Sequence, residues 1–131
     1  CYVYNKAMVK YYGYDKDCCK QEDFAFQDPD CCKWSNQFNM IREWAEEKGI
    51  YDEGDQKTQY VKLMEEAGEV GRAILKDDTE EIKDGIGDMV VVLTNLAELS
   101  GLTIEECIES AYEVISKRKG KMINGTFVKN K

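Results

Sequence analysis

The chain has 131 residues, enough for one domain with a real core, and its 43% hydrophobic and 34% charged residues are an ordinary globular mixture. It contains no histidine, which excludes Ser-His-Asp and Cys-His nucleophilic catalysis, zincin-type metal sites and histidine acid–base chemistry. The net charge of −8 is uneven: six basic and no acidic residues lie from Lys117 onward, so the first 116 residues hold 12 basic against all 26 acidic ones, a balance of −14 that argues against a nucleic-acid partner.

In chain order, Cys1-Tyr2-Val3-Tyr4 opens without an initiator Met and without the basic and apolar regions of a signal peptide. No apolar run approaches the roughly 18 residues of a membrane span, so no membrane partner is expected. Residues 1–33 read as a separate Cys-rich extension holding five of the six cysteines and a short echo, Asp15-Lys-Asp-Cys-Cys-Lys20 and Asp28-Pro-Asp-Cys-Cys-Lys33. Adjacent cysteines lack the C-x2-4-C spacing that turns two thiolates toward one zinc ion. Only Cys107 lies in residues 34–131, so that body is expected to fold without disulfides and to be cytoplasmic.

From residue 35 the pattern is helical. Ser35 or Asn36 is the expected cap of a helix through Phe38, Ile41, Trp44 and Ala45, stopped by Gly49. Residues 50–55 read as a polar loop, with Asp55 as the next cap. A second helix is expected from Gln56 to Leu75, with Leu63, Ala67, Val70 and Ile74 on one stripe. Asp77 or Asp78 caps a third, Thr79 to Leu99, which is apolar nearly all round from Ile86 and is therefore expected to be buried. The capping box Thr103-Ile-Glu-Glu106 opens a fourth, expected to reach Lys119. Asn124-Gly125 between short apolar runs signals a terminal β-hairpin. The expected fold is all-α: a four-helix bundle completed by oligomerisation as a homodimer or homotetramer, with a small C-terminal hairpin.

Two helices present carboxylates at the edge of this core. At about 100° per residue, Glu66 and Glu69 lie about 60° apart on the shoulder of the second helix's apolar stripe, and Glu65 lies farther toward solvent. On the third helix Glu81, Asp84, Asp88 and Asn95 fall within about 60° of each other, with no basic residue on that stripe. The short loop 76–78 makes the helices antiparallel neighbours. Oxygen donors without thiol or imidazole suit Mg²⁺, with Mn²⁺ as a substitute. The spacing alone leaves two readings, a metal site or a structural polar seam.

Glu65-Glu66-Ala67-Gly68-Glu69-Val70 resembles the EExxE motif of MazG-type nucleoside triphosphate pyrophosphohydrolases, and Ile86-Gly87-Asp88 before an apolar run resembles their second motif, ExxD. The resemblance covers Trp34 to Val128, about three-quarters of the chain, including the ending Lys117-Arg-Lys-Gly-Lys-Met-Ile-Asn-Gly-Thr-Phe127. It implies an all-α oligomer that splits an NTP or dNTP between the α and β phosphates, giving a nucleoside monophosphate and pyrophosphate. By position it implies Glu66, Glu69 and Asp88 as Mg²⁺ ligands. Glu65 is implied as a ligand or as the group that orients water. The second-motif glutamate falls on Gly85 here, and Asp84 or Glu81 is the replacement offered by the acidic stripe. Lys117, Arg118 and Lys121 are candidates to grip the leaving pyrophosphate, and Asn95 and Trp34 to contact the nucleotide. Phe38 and Trp44 fit the core stripe. Alternatives are a dUTPase-like or phosphoribosyl-ATP pyrophosphohydrolase, or a helical dimerisation or nucleotide-binding module without catalysis.

Overall fold

A computed structural model describes the backbone of residues 29–131 and the side chains from residue 37 onward. The two Cys-Cys pairs, the echo and the side chain of Trp34 lie outside the described residues. The order is α1 (Pro29–Glu47), α2 (Ile50–Glu53), α3 (Gln56–Leu75), α4 (Thr79–Leu99), α5 (Ile104–Ile115), β1 (Gly120–Ile123) and β2 (Thr126–Lys129). The all-α class and the terminal hairpin are as expected from the sequence.

Three expected caps are present. Asp55 accepts from the N–H and the hydroxyl of Thr58, each at 2.8 Å, and opens α3. Asp78, not Asp77, accepts from the N–H of Glu81 at 3.1 Å and opens α4. Thr103 accepts from the N–H of Glu106 at 3.2 Å and opens α5, with the Glu106 carboxylate accepting from the Thr103 hydroxyl at 3.1 Å. Asn124 and Gly125, both left-handed with φ of 50° and 80°, turn β1 into β2, where Ile123 pairs with Thr126 and Met122 with Phe127.

Four expectations need correction. Helix α1 starts at Pro29, so Ser35 and Asn36 lie inside it; proline suits a first helical position because the N–H it lacks has no helical partner there. Residues 50–53 form a one-turn helix after Gly49, which adopts φ 77°. Helix α5 ends at Ile115, because the following Ser116-Lys117-Arg118-Lys119 has no apolar residue to bury and three like charges in sequence. Finally, α4 is not enclosed. Val92, Thr94, Asn95 and Ala97 are buried, but Ile86 is 52% exposed and Asp88 is also exposed. Among the described residues it is contacted by α1, α2, α3 and α5, and these leave Ile86 and Asp88 open.

The most extensive contact is the antiparallel pair α3·α4. Leu63 and Ala73 bury the α3 face, and Gly85 allows α4 to approach it closely: a Cβ on Gly85 would stand 2.5 Å from Val70 Cγ2. Arg42 of α1 is wholly buried. It donates to Glu105 of α5 at 2.7 and 3.1 Å and to Asn39 Oδ1 at 3.3 Å, and stands 3.7 Å from Glu98 of α4. No helix among the described residues is long and apolar enough to cross a membrane by itself.

Candidate functional site

The α3·α4 seam brings together the carboxylates singled out by the sequence. Glu66 follows Leu63 by three residues and precedes Ala73 by seven, so the helix period carries it onto the buried stripe. It is 7% exposed, and its Oε2 has no hydrogen-bond partner. Glu65 and Glu69, one residue before and three after, are exposed on either side. From α4, Glu81, Asp84 and Asp88 line one cleft with Glu69, Arg72 and Lys76, a space of about 310 Å³. Asp84 and Asp88 also line an open groove with Glu80, Glu81 and Lys83. A third cleft joins Glu66 and Asp88 to Asn95 and to the apolar side chains of Trp44, Ile50 and Val91. Asp88 therefore belongs to all three.

The charges in this seam act on one another. The charge of Glu66 beside Glu69 is the main cause that raises the Glu69 pKa above the ordinary carboxylate range. Asp88 keeps an open face to solvent, but its lost hydration against the helix pair, then Asp84 and Glu66, push its pKa up. Lys62 opposes this. Its Nζ lies 3.3 Å from Glu65 Oε2 and 3.4 Å from Glu66 Oε1, and its charge favours ionised Asp88. Lys62 contacts Glu65 and Glu66, and the charge of Arg72 acts on Glu69.

An unpartnered buried oxygen among like charges fits a divalent cation with oxygen ligands. Among the described residues no three acidic or thiol side chains stand together as a ready cage.

The expected substrate contacts separate. Asn95 is 2% exposed, lines the third cleft and accepts a hydrogen bond from the Tyr51 hydroxyl at 2.9 Å. Lys117, Arg118 and Lys121 are exposed and line none of the three clefts, and Lys117 stands 3.6 Å from Glu113. Trp44, placed in the core by its helix position, is 46% exposed and forms a cleft wall.

Three residues were missed in the sequence. Lys62 sits four residues before Glu66, a spacing that pairs charges on a helix and could have flagged it. Arg42 follows Phe38 by four and precedes Ala45 by three, so it shares the buried face. Tyr51 was hidden in the stretch read as a loop.

A family model described as the MazG nucleotide pyrophosphohydrolase domain matches residues 55–123, which spans both carboxylate helices. The chain is 40% identical over 58 residues to a protein of Haemophilus phage HP1 (strain HP1c1), described as an uncharacterized 18.2 kDa protein in the rep-hol intergenic region. That alignment covers 44% of this chain and 36% of the phage protein, so the chain spans about a third of the relative's length. No solved structure matches the chain significantly.

Proposed function

The chain belongs to the MazG nucleotide pyrophosphohydrolase family, and from that premise we propose that it hydrolyses an NTP or dNTP to a nucleoside monophosphate and pyrophosphate in a Mg²⁺-dependent reaction, with Mn²⁺ as a substitute. The observation that carries this reading is the buried Glu66, whose unpartnered Oε2 sits among carboxylates that already repel one another. Glu66, Glu69, Asp88 and Asp84 are the proposed ligands. Asp84 takes the part of the family glutamate because position 85 is closed to a side chain by Val70. Turning the exposed Glu69, Asp84 and Asp88 inward completes the set.

The cation, when bound, offsets phosphate charge and makes a water more acidic. The chain's own residues do the rest. Glu65, exposed at the seam's edge, accepts the proton of the attacking water. The bond between the α and β phosphates breaks, and pyrophosphate leaves against protein cations. Lys62, Arg72 and Lys76 line the acidic clefts and are placed for that contact ahead of Lys117, Arg118 and Lys121. The proposed working domain is residues 34–131, and the proposed location is the cytoplasm.

We further propose self-association as a homodimer or homotetramer. Ile108, Tyr112 and Ile115 recur on α5 at spacings of four and three, which puts them on one helix face, and all three are exposed, as are Met122 and Phe127 of the hairpin; an exposed apolar face of this kind suits association. Light scattering at micromolar concentration should give a mass above that of one chain.

The activity is tested by pyrophosphate release from a panel of NTPs and dNTPs, with Mg²⁺ and with EDTA. Release from at least one nucleotide with Mg²⁺ and none with EDTA is expected. With phosphoribosyl-ATP added, the same panel separates the dUTPase-like and phosphoribosyl-ATP readings, and no release from any of these substrates would remove the enzyme reading.

A further inference from the structure

We propose that the third cleft takes the base of the nucleotide, and that Tyr51 positions Asn95 so that its amide NH₂ reads a carbonyl oxygen on that base. This rests on the nucleotide reading above and adds the end of the substrate that the carboxylates do not address.

The cleft is lined by chemically different side chains. Glu66, Asp88 and Lys62 are its charged groups, while Trp44, Ile50 and Val91 are apolar, with Thr58 and Gln59 as further polar neighbours. Asn95 follows Asp88 by seven residues on α4, about two turns and roughly 10 Å along the helix, which separates it from the proposed cation and phosphate groups. The cleft's volume of about 310 Å³ falls at the small end of ligand pockets. A flat heterocycle with polar edges suits such a lining, since aromatic faces stack on any base.

Asn95 supplies the discrimination. An asparagine amide has one acceptor and two donors, and which end faces a ligand depends on its other partners. Here the Tyr51 hydroxyl donates to Oδ1 at 2.9 Å. The acceptor is therefore engaged, and no described residue accepts from Nδ2. Asn95 is 2% exposed, so its NH₂ cannot turn freely into bulk water. The unpaired NH₂ is not sealed in the interior and belongs to a residue that lines the cleft, so a base offering an acceptor is favoured over one offering another donor. Adenine is the common base without a carbonyl oxygen, and its exocyclic NH₂ would meet the amide donors. The one-turn helix α2 places both Ile50 and Tyr51 at this cleft, which gives a role to a segment that otherwise looks like a linker.

The test uses the full chain and two nucleoside monophosphates that differ along the 6,1-edge of the purine, inosine monophosphate with a 6-oxo acceptor and an N1–H donor and adenosine monophosphate with a 6-amino donor and a bare N1. As products of the proposed reaction they bind without turnover. Binding is followed by tryptophan emission and in parallel by calorimetry. Inosine monophosphate should bind about tenfold more tightly than adenosine monophosphate, the factor one net hydrogen bond supplies. The emission change should vanish in Trp44→Phe. In Tyr51→Phe the amide is released to turn either end toward the ligand, so both nucleotides should still bind with nearly equal affinity. A purely structural role for Tyr51 would instead weaken both together and keep their ratio.

Equal binding of the two by the parent chain, or an emission change that survives Trp44→Phe, would overturn this inference while pyrophosphate release left the enzyme reading intact. If calorimetry finds neither monophosphate bound and no nucleotide is turned over, both readings fall.

Discussion

The molecule holds two clusters of acidic side chains, and they are built on opposite terms. In one, Glu98 and Glu105 meet Arg42, which is wholly buried and held in two-pronged contact with Glu105. In the other, Lys62 contacts Glu66 and its charge reaches Asp88, Arg72 acts on Glu69, and the carboxylates of Glu66, Glu69, Asp84 and Asp88 outnumber the cations held close to them. Raised carboxylate pKa values do not separate the clusters. Burial raises Glu98 and Glu105 just as lost hydration and neighbouring charge raise Asp88 and Glu69. What separates them is whether the fold supplies the countercharge. A cluster completed by its own arginine holds helices together. Unpartnered buried atoms occur in both clusters, at Glu98 Oε1 and at Glu66 Oε2, so it is the closeness of the cation that differs: Lys62 contacts Glu65 and Glu66 alone, and under the proposed function a bound cation supplies the rest.

The sharpest break in this comparison is Asp88→Asn. With Mg²⁺, pyrophosphate release should fall by orders of magnitude, because activation of the water and offset of phosphate charge are lost together. The parent should gain about 2.7 kcal/mol in a thermal melt at a hundredfold excess of Mg²⁺ over Kd, and the variant much less. In EDTA the order should reverse, with the variant at least as stable, since a like charge has been removed. Lower stability of the variant in both conditions would make the seam structural after all.

Arg42→Met probes the other cluster. It strands Glu105 and Glu98 beside a neutral side chain and, because both carboxylates keep some solvent, should cost about 1.5–3 kcal/mol in denaturant unfolding, the range for hydrogen bonds to charged groups. The loss should be the same with and without Mg²⁺; a loss that appears only with the metal would mean that the clusters act as one.

Gly85→Ala tests why the family glutamate is absent. Its Cβ would press on Val70, so a cost of about 1–3 kcal/mol is expected in denaturant unfolding. A double-mutant cycle with Val70→Ala should show favourable coupling, because the smaller side chain makes room.

The smallest effect is on pH dependence without metal. Glu69 and Asp88 have raised folded pKa values, so between the ordinary carboxylate range and those values the folded state holds more protons than the unfolded one. Their contribution then lowers stability as pH rises through that window and is absent below it. Unfolding measured in EDTA across this window should show the parent losing ground to Asp88→Asn as pH rises. The effect is modest because both groups keep contact with solvent.

The sequence was most readable where the signal is local. The caps Asp55, Asp78 and Thr103 and the Asn124-Gly125 turn depend on neighbours within a few residues, and each appears as expected. The burial of Glu66 also followed from helix period, as did the acidic stripe of α4. What was not readable depends on partners far along the chain. Arg42 is buried because Glu105 lies 63 positions away to receive it. Tyr51 matters because Asn95 is 44 positions away, and neither separation has a periodic signature. The exposure of Ile86 and Asp88 shows a further limit: apolar composition all round α4 gives its affinity for cover, not whether the chain itself supplies that cover.

The short link from Leu75 to Thr79 has a consequence for how the protein folds. The carboxylates of α3 and α4 belong to one helical hairpin, and bringing them together requires closure of only a few residues, including Asp77 in a left-handed turn with φ 53°. Closing so short a loop costs little chain entropy and is fast compared with long-range docking. The hairpin is therefore expected to assemble before α1 and α5 meet through Arg42 and Glu105. Substitutions at the α3·α4 contact should slow refolding, while Arg42 variants should mainly speed unfolding.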